Sequence, residues 1–292
     1  MTETLRIGRR GVRITHPDKV LFPRARLTKL DLARHYERVA HLMVPYVTGR
    51  PLALQAFPDG IDGTGFFMKN LPRYFPDWVG RVTVDKRGGR ITHATADDAA
   101  TLVYLAGQNV VTPHMWLSRG DRPREPDRLI LDFDPSGGGF ADVRAAAREA
   151  GERLRDSGLV PYAMVTGSRG VHVICPLRRR AGFQEVHRFA RALAEEMVRD
   201  DRRLTLEWKK LDRGPRIYVD VNRNAYAQHA VAPYGVRPSA RAPVAVPVRW
   251  EELSDARLKP DRWTIKSIAA RADEAGDPWR GMGRRARGLP SA

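Results

Sequence analysis

Residues 128–135 read RLILDFDP. In a strand alternate side chains share a face, so Leu129, Leu131 and Phe133 point to a core while Ile130, Asp132 and Asp134 point the other way. Two carboxylates about 7 Å apart at their Cα atoms, at the exit of a buried strand, repel each other unless a cation lies between them. Hard divalent ions such as Mg2+ or Mn2+ take oxygen sites of this kind, completed by water and substrate phosphates. A plain polar strand exit explains the same letters, and the strand alone leaves both readings open. A second stretch, RIYVDVNRN (216–224), weighs on the choice. There Ile217, Val219 and Val221 form an apolar face, and Asp220 lies opposite with Tyr218 and Asn222. A third acid on a separate strand is what phosphoryl transfer with two metal ions requires.

Between these strands lies VTGSRGVHVICP (165–176), whose two glycines predict a hairpin of Val160–Thr166 with Val171–Pro176. Amides of such a turn can face an anion. Thr166, Ser168, Arg169 and His172 therefore form a candidate triphosphate cradle, although an ordinary hairpin turn reads the same. The GxxxxGK[ST] spacing of a P-loop is absent. Arg213, Arg223 and Arg237 flank the third acid and suit phosphate neutralisation, or a solvated surface. Phe66 and Phe67, in the Gly-rich stretch 58–78, suit stacking on a base, with one of the two expected in the core instead. Lys19 and Lys29, near the N-terminus, suit a phosphate site. His114 and Trp116 sit just upstream of the first acidic strand, where either can be structural.

Further out, helices are predicted over 28–49, 95–109, 142–157 and 183–199. The first has Thr28 as cap and Leu32, Tyr36, Val39 and Met43 at helical spacing. Strands and helices interleave without regular βαβ spacing, which predicts an α+β fold with mixed or antiparallel sheets flanked by helices. A basic lead-in (1–13), one catalytic domain of two packed lobes (14–279) and a flexible basic tail (280–292) complete the expected organisation. The 292 residues carry 51 basic and 34 acidic side chains, a net charge of +17, and 43 of the 51 are Arg. Guanidinium forks grip phosphates two bonds at a time, so a polyanionic partner is expected. A lone cysteine, Cys175, excludes a disulfide framework and CxxC metal sites. No apolar run approaches a membrane span and no secretory h-region is present, so a cytoplasmic, nucleoid-associated protein with no membrane partner is expected. On residues alone, a nucleotidyltransferase, a metal-dependent nuclease or phosphoesterase and a non-catalytic DNA end-binding module all remain.

Taken in order, the motifs resemble the polymerase domain of bacterial ligase D, a DNA end-joining polymerase of the archaeo-eukaryotic primase superfamily. The resemblance runs through ITHPDKVLFP (14–23), TKLDLARHYERVA (28–40), GRPLAL (49–54), PDGIDGTGFFMKNLP (58–72) and LILDFDP (129–135). It continues through TGSRGVHV (166–173), YVDVNRNAYAQHAVAPYGVRP (218–238), APVAVPVRWEEL (242–253) and GDPW (276–279). It implies a primase-like core in which Asp132, Asp134 and Asp220 bind two Mn2+ or Mg2+ ions and carry the catalysis. It assigns the incoming NTP or dNTP to Thr166, Ser168, Arg169, His172, Arg213, Arg223 and Arg237, with His114 nearby. Lys19 and Lys29 would hold the 5′-phosphate of a gapped duplex or DNA end, and Phe66 and Phe67 would stack on the template. Gap filling at DNA ends in double-strand break repair, with ribonucleotides preferred and pyrophosphate released, is the implied activity. Arg223 stands where the family commonly has Gln. The chain ends without ligase or nuclease domains, which implies Ku and a separate ATP-dependent DNA ligase as partners.

Overall fold

A computed structural model describes residues 1–290. The chain opens with strands β1 (Thr2–Ile7), β2 (Arg10–Thr15), β3 (Val20–Phe22) and β4 (Leu27–Thr28), then helix α1 (Lys29–Val47). Strands β5 (Leu52–Ala56), β6 (Phe66–Met68), β7 (Arg81–Lys86) and β8 (Gly89–Ala94) follow, then α2 (Ala99–Gly107) and β9 (Val110–Trp116). The middle holds β10 (Arg128–Pro135), α3 (Phe140–Asp156), β11 (Tyr162–Val165), β12 (Val171–Pro176) and α4 (Phe183–Asp200). The last third holds β13 (Leu204–Thr205), α5 (Lys210–Arg213), β14 (Ile217–Asp220), β15 (His229–Val231), β16 (Val246–Val248) and α6 (Ile268–Ala275).

Two compact units share this chain, each discontinuous in sequence. The first takes Met1–Asp121, His229–Ala245 and Trp263–Gly276, and the second takes Arg122–Gln228, Val246–Arg262 and the segment from Asp277 onward. In the first unit, an antiparallel sheet runs in the order β15-β9-β5-β6. Helix α1 starts where the sequence predicts: the Thr28 side chain accepts from the Asp31 amide, and Asp31 accepts from the Thr28 amide at 2.8 Å. Its Leu32, Tyr36, Val39 and Met43 are buried, each contributing roughly 1.5–3 kcal/mol of apolar burial.

The second unit is built on a six-stranded sheet, β13-β14-β10-β12-β11-β16, antiparallel except for the β13–β14 pair. Helices α3 and α4 both pack against β10. Leu129, Leu131 and Phe133 are fully buried as the alternation requires, and so are Ile130 and its cross-strand partner Ile174. The face that carries the acids is therefore apolar at one end and becomes polar only from Asp132 onward.

Two expectations about the ends need correction. Residues 1–13 are no simple lead-in: β1 and β2 form a hairpin whose Val12 and Ile14 are core residues. The basic turn Gly8-Arg9 and the arginines around it mask the period-two pattern in the sequence. Beyond Gly276 the chain is anchored as far as Arg287. Trp279 is fully buried and donates its indole N–H to the Ala163 carbonyl at 3.0 Å, and the Arg287 carbonyl accepts from the Arg178 amide at 2.7 Å. Residues 291–292 of the expected tail lie outside the described residues. Among the described residues no helix is long and apolar enough to cross a membrane.

Candidate active site

Strands β14, β10 and β12 lie side by side, so register decides which side chains meet. Asp132 pairs with Asp220 on one side and with His172 on the other, while Asp134 pairs with Tyr218. Strand faces alternate, so all five project from one face of the sheet. Like charges directly opposite across a strand pair destabilise it, and here a cation intervenes. Arg223 Nε lies 3.4 Å from Asp132 Oδ2 and 3.3 Å from Asp220 Oδ2. His172 Nε2 approaches Asp132 Oδ1 at 3.4 Å. Burial pushes the Asp132 pKa up, but His172 and Arg223 outweigh it and hold the carboxyl at about 2. Asp220 Oδ1 accepts from the Asn222 backbone amide at 2.9 Å and from the Tyr218 hydroxyl at 3.2 Å. Burial and the neighbouring Asp220 push the Tyr218 phenol up to about 12.

Asp134 faces other cations: Arg169 Nη2 at 3.1 Å and Arg213 Nη1 at 3.8 Å. The expected three-acid centre is thus a bridged pair with a neighbour drawn aside. Among the described residues no three acidic, imidazole or thiol side chains gather closely enough to hold one ion as they stand. The donor chemistry does fit a hard divalent ion, because the donors are carboxylate oxygens, Asp132 is kept ionised, and a positive group already spans Asp132 and Asp220.

The turn between β11 and β12 is shaped by its glycines. Gly167 adopts φ +67°, and a Cβ on Gly170 would fall 2.2 Å from the Phe133 carbonyl oxygen. The Gly170 amide donates to Thr166 Oγ1 at 3.2 Å, so Thr166 is buried and closed within the turn. His172 is buried as well, its Nδ1 without a hydrogen-bond partner. Of the four expected cradle residues only Ser168 and Arg169 are exposed. Arg213, expected to hold phosphate, is 6% exposed and donates to the Glu207 and Trp208 carbonyls at 2.8 and 2.6 Å. Its guanidinium lies over the Tyr218 ring at 3.9 Å. Buried Asn224 was not singled out by the sequence. Its side chain accepts from the Ile130 amide at 2.9 Å and donates to the Ile130 carbonyl at 2.7 Å, pinning the turn after β14 to β10. An Asn just past a strand is the signal, since its amide completes backbone hydrogen bonds that the turn leaves open.

Lys19, Lys29, Phe66, Phe67, His114 and Arg237 belong to the first unit. Lys19 and Lys29 line one cleft of about 640 Å³ together with Met1, Thr15, His16 and Asn109. The Lys29 amide donates to the Lys19 carbonyl at 2.8 Å and its ammonium to the Thr15 carbonyl at 2.9 Å. Burial and then Lys19 push the Lys29 pKa down. Phe66 and Phe67 are 47% and 43% exposed, which corrects the expectation that one is a core anchor. Both lie on β6, one of the sheet's two edge strands. The Phe67 ring meets those of His114 and His229 at 5.2 Å, and the two histidines approach Nδ1 to Nδ1 at 3.2 Å. Nothing in the sequence marked His229. The Arg237 amide donates to the Pro243 carbonyl at 2.7 Å.

A family model described as the LigD primase-polymerase domain matches residues 28–279. The multifunctional non-homologous end joining proteins LigD of Pseudomonas aeruginosa and Mycobacterium bovis are 33% and 31% identical to it over 277 and 258 residues, covering 92% and 85% of this chain. The chain spans about a third of the length of these relatives, 32% and 34%. The solved polymerase domain from Mycobacterium tuberculosis ligase D in complex with DNA superposes with a TM-score of 0.87 at 28% identity. That match covers 94% of this chain and 98% of the other.

Proposed function

Because the chain belongs to the LigD primase-polymerase domain family, we propose that it is a template-directed nucleotidyltransferase that extends or fills gaps at DNA ends. The observation that carries the reading is the row Asp220–Asp132–His172 across three neighbouring strands, with Asp134 on the same face. Asp132, Asp134 and Asp220 would hold two Mn2+ or Mg2+ ions, which supply charge neutralisation at a triphosphate and acidify an attacking hydroxyl. Arg223 screens the repulsion of Asp132 and Asp220, and with His172 it keeps Asp132 ionised. Arg169, exposed and paired with Asp134 at 3.1 Å, is the arginine free to turn toward phosphate. Arg213 and Asn224 keep β14 and its flanking turns in place, which holds the acids in register.

Lys19 and Lys29 would take the 5′-phosphate of the far side of a gap, and exposed Phe66 and Phe67 suit stacking on template bases. Family membership alone supports the nucleotide-binding roles of Thr166, Ser168, His172, Arg237 and His114, the preference for ribonucleotides, and the association with Ku and an ATP-dependent ligase. A purely structural end-binding module fits less well, since three carboxylates gathered on one face, each already beside an arginine, add nothing to a grip on a polyanion.

The test is extension of a labelled primer on a gapped duplex with a 5′-phosphate, in Mn2+, with ribo- and deoxyribonucleotides in separate arms. Asp132→Asn and Asp220→Asn should each bring nucleotide addition below detection, and the wild type should favour the ribonucleotide arm. Extension near the wild-type rate in either variant would refute the assignment, and a shortened primer would point to a nuclease.

A further inference from the structure

The Lys19/Lys29 cleft ends on the N-terminal hairpin, because Met1 and Thr15 line it and the Lys29 ammonium donates to the Thr15 carbonyl. β1 and β2 pair from Thr2↔Thr15 to Ile7↔Arg10, so their side chains sort onto two faces. The inner face carries Val12 and Ile14, which are 1% and 0% exposed, and its charged members are paired: Glu3 with Arg34 at 3.2 Å and Arg10 with Asp98 at 3.7 Å. The outer face carries Thr2, Thr4, Arg6, Gly11, Arg13 and Thr15, with Arg9 at the turn beyond, and all of them are exposed.

This outer face has three arginines and no acid. Among the described residues none of Arg6, Arg9 and Arg13 has an ion pair or a side-chain hydrogen bond. Their neighbours Arg10 and Arg34 have found carboxylates, while these three are left facing water on one ribbon. Mutual repulsion along such a row is relieved by a partner with regularly spaced negative charge, and guanidinium suits the phosphodiester. From Thr15 to Arg9 the strand runs six residues, about 20 Å at ~3.4 Å per residue, which matches about six base pairs of duplex.

We propose that the outer face of the N-terminal hairpin is a duplex-binding track that carries the double helix leading away from the Lys19/Lys29 cleft, with Arg13, Arg6 and Arg9 each meeting a backbone phosphate. The direction of the track, though not its existence, rests on the reading of that cleft as the 5′-phosphate site.

The full chain and its Arg6→Gln/Arg9→Gln/Arg13→Gln variant are compared by fluorescence anisotropy on 5′-phosphorylated gapped duplexes with a downstream arm of about 3 or about 12 base pairs, between about 50 and about 200 mM salt. All three positions are exposed, so thermal unfolding of the variant should match the wild type. On the long arm, the wild-type plot of log affinity against log salt should be steeper by about 2.7, so that it loses about 40-fold more affinity across the range. On the short arm the two proteins should nearly coincide. The preference for a 5′-phosphate over a 5′-hydroxyl should survive in this variant and vanish in Lys19→Ala/Lys29→Ala, which keeps the arm-length effect. Equal slopes on the long arm, or a deficit independent of arm length, would overturn the track. No 5′-phosphate preference in the wild type, with the arm-length effect intact, would overturn the reading of the cleft and leave the track standing.

Discussion

His35 shows how one buried side chain sets a pH limit. It is 2% exposed on α1, and its Nε2 lies 3.1 Å from the Tyr234 carbonyl. A carbonyl only accepts, so Nε2 carries the proton, and Nδ1 is left buried with no partner. Burial, with a smaller push from Arg38, lowers the pKa to about 4 against the opposing pull of the Tyr234 carbonyl. The folded value lies below the unfolded one near 6.5, so between these values the unfolded chain binds the extra proton. Stability is therefore full above about pH 6.5 and falls as pH drops toward 4, by about 2 kcal/mol at pH 5. His35→Gln retains an N–H donor for the carbonyl and does not titrate. Denaturant unfolding should show the variant no more stable than wild type at pH 8 but gaining about 2 kcal/mol on it by pH 5; parallel pH curves would rule this account out. At this scale the sequence was readable where a residue breaks a pattern, as Asp132, Asp134 and Asp220 break apolar alternation. It was silent on His229 beside His114 and on Arg223 beside Asp132, because those contacts join residues far apart in the chain.

Helices α1, α3 and α4 were legible because each is long enough for its apolar spacing to repeat, and α1 announces its start with Thr28 and Asp31. Strands such as β13, β15 and β16, of two or three residues, are too short to show a period. The order β13-β14-β10-β12-β11-β16 is fixed by pairings that no local window contains. The hairpin of β11 and β12 was readable from its two glycines, but not the reason for the second. Gly170 is required because β10 passes so close that any Cβ would strike the Phe133 carbonyl, one residue from Asp132 and Asp134. Gly170→Ala must push β10 and β12 apart, and overpacking of this kind costs about 2 kcal/mol, a fall of roughly 4–8 °C in Tm. Gly167→Ala, at φ +67°, meets the left-handed backbone penalty of about 1–2 kcal/mol. Thermal unfolding and primer extension on both variants should show the larger loss of nucleotide addition at Gly170, since displacing β10 moves both of its acids. Activity losses in the reverse order would contradict the close approach.

For the molecule as a whole, the proposed function assigns the net charge of +17 to holding DNA and the acids to reacting on it. Affinity for duplex comes from phosphates neutralised by Arg and Lys, and it falls linearly in log affinity against log salt. The acids contribute nothing to that grip: Asp132 and Asp220 are bridged by Arg223, and Asp134 is paired with Arg169. Replacing them should therefore stop chemistry without releasing DNA. Asp132→Asn/Asp220→Asn, measured by anisotropy on a gapped duplex in chelator, is expected to bind at least as tightly as wild type. Its salt slope should be unchanged, because no phosphate contact is gained or lost. Chelator alone should act on the wild type in the same way, abolishing nucleotide addition while leaving retention intact. If the double variant instead bound about fivefold more weakly at every salt concentration, the carboxylates would have to be organising the DNA-binding surface itself. The division between a cationic surface that holds and an acidic face that reacts would then be wrong.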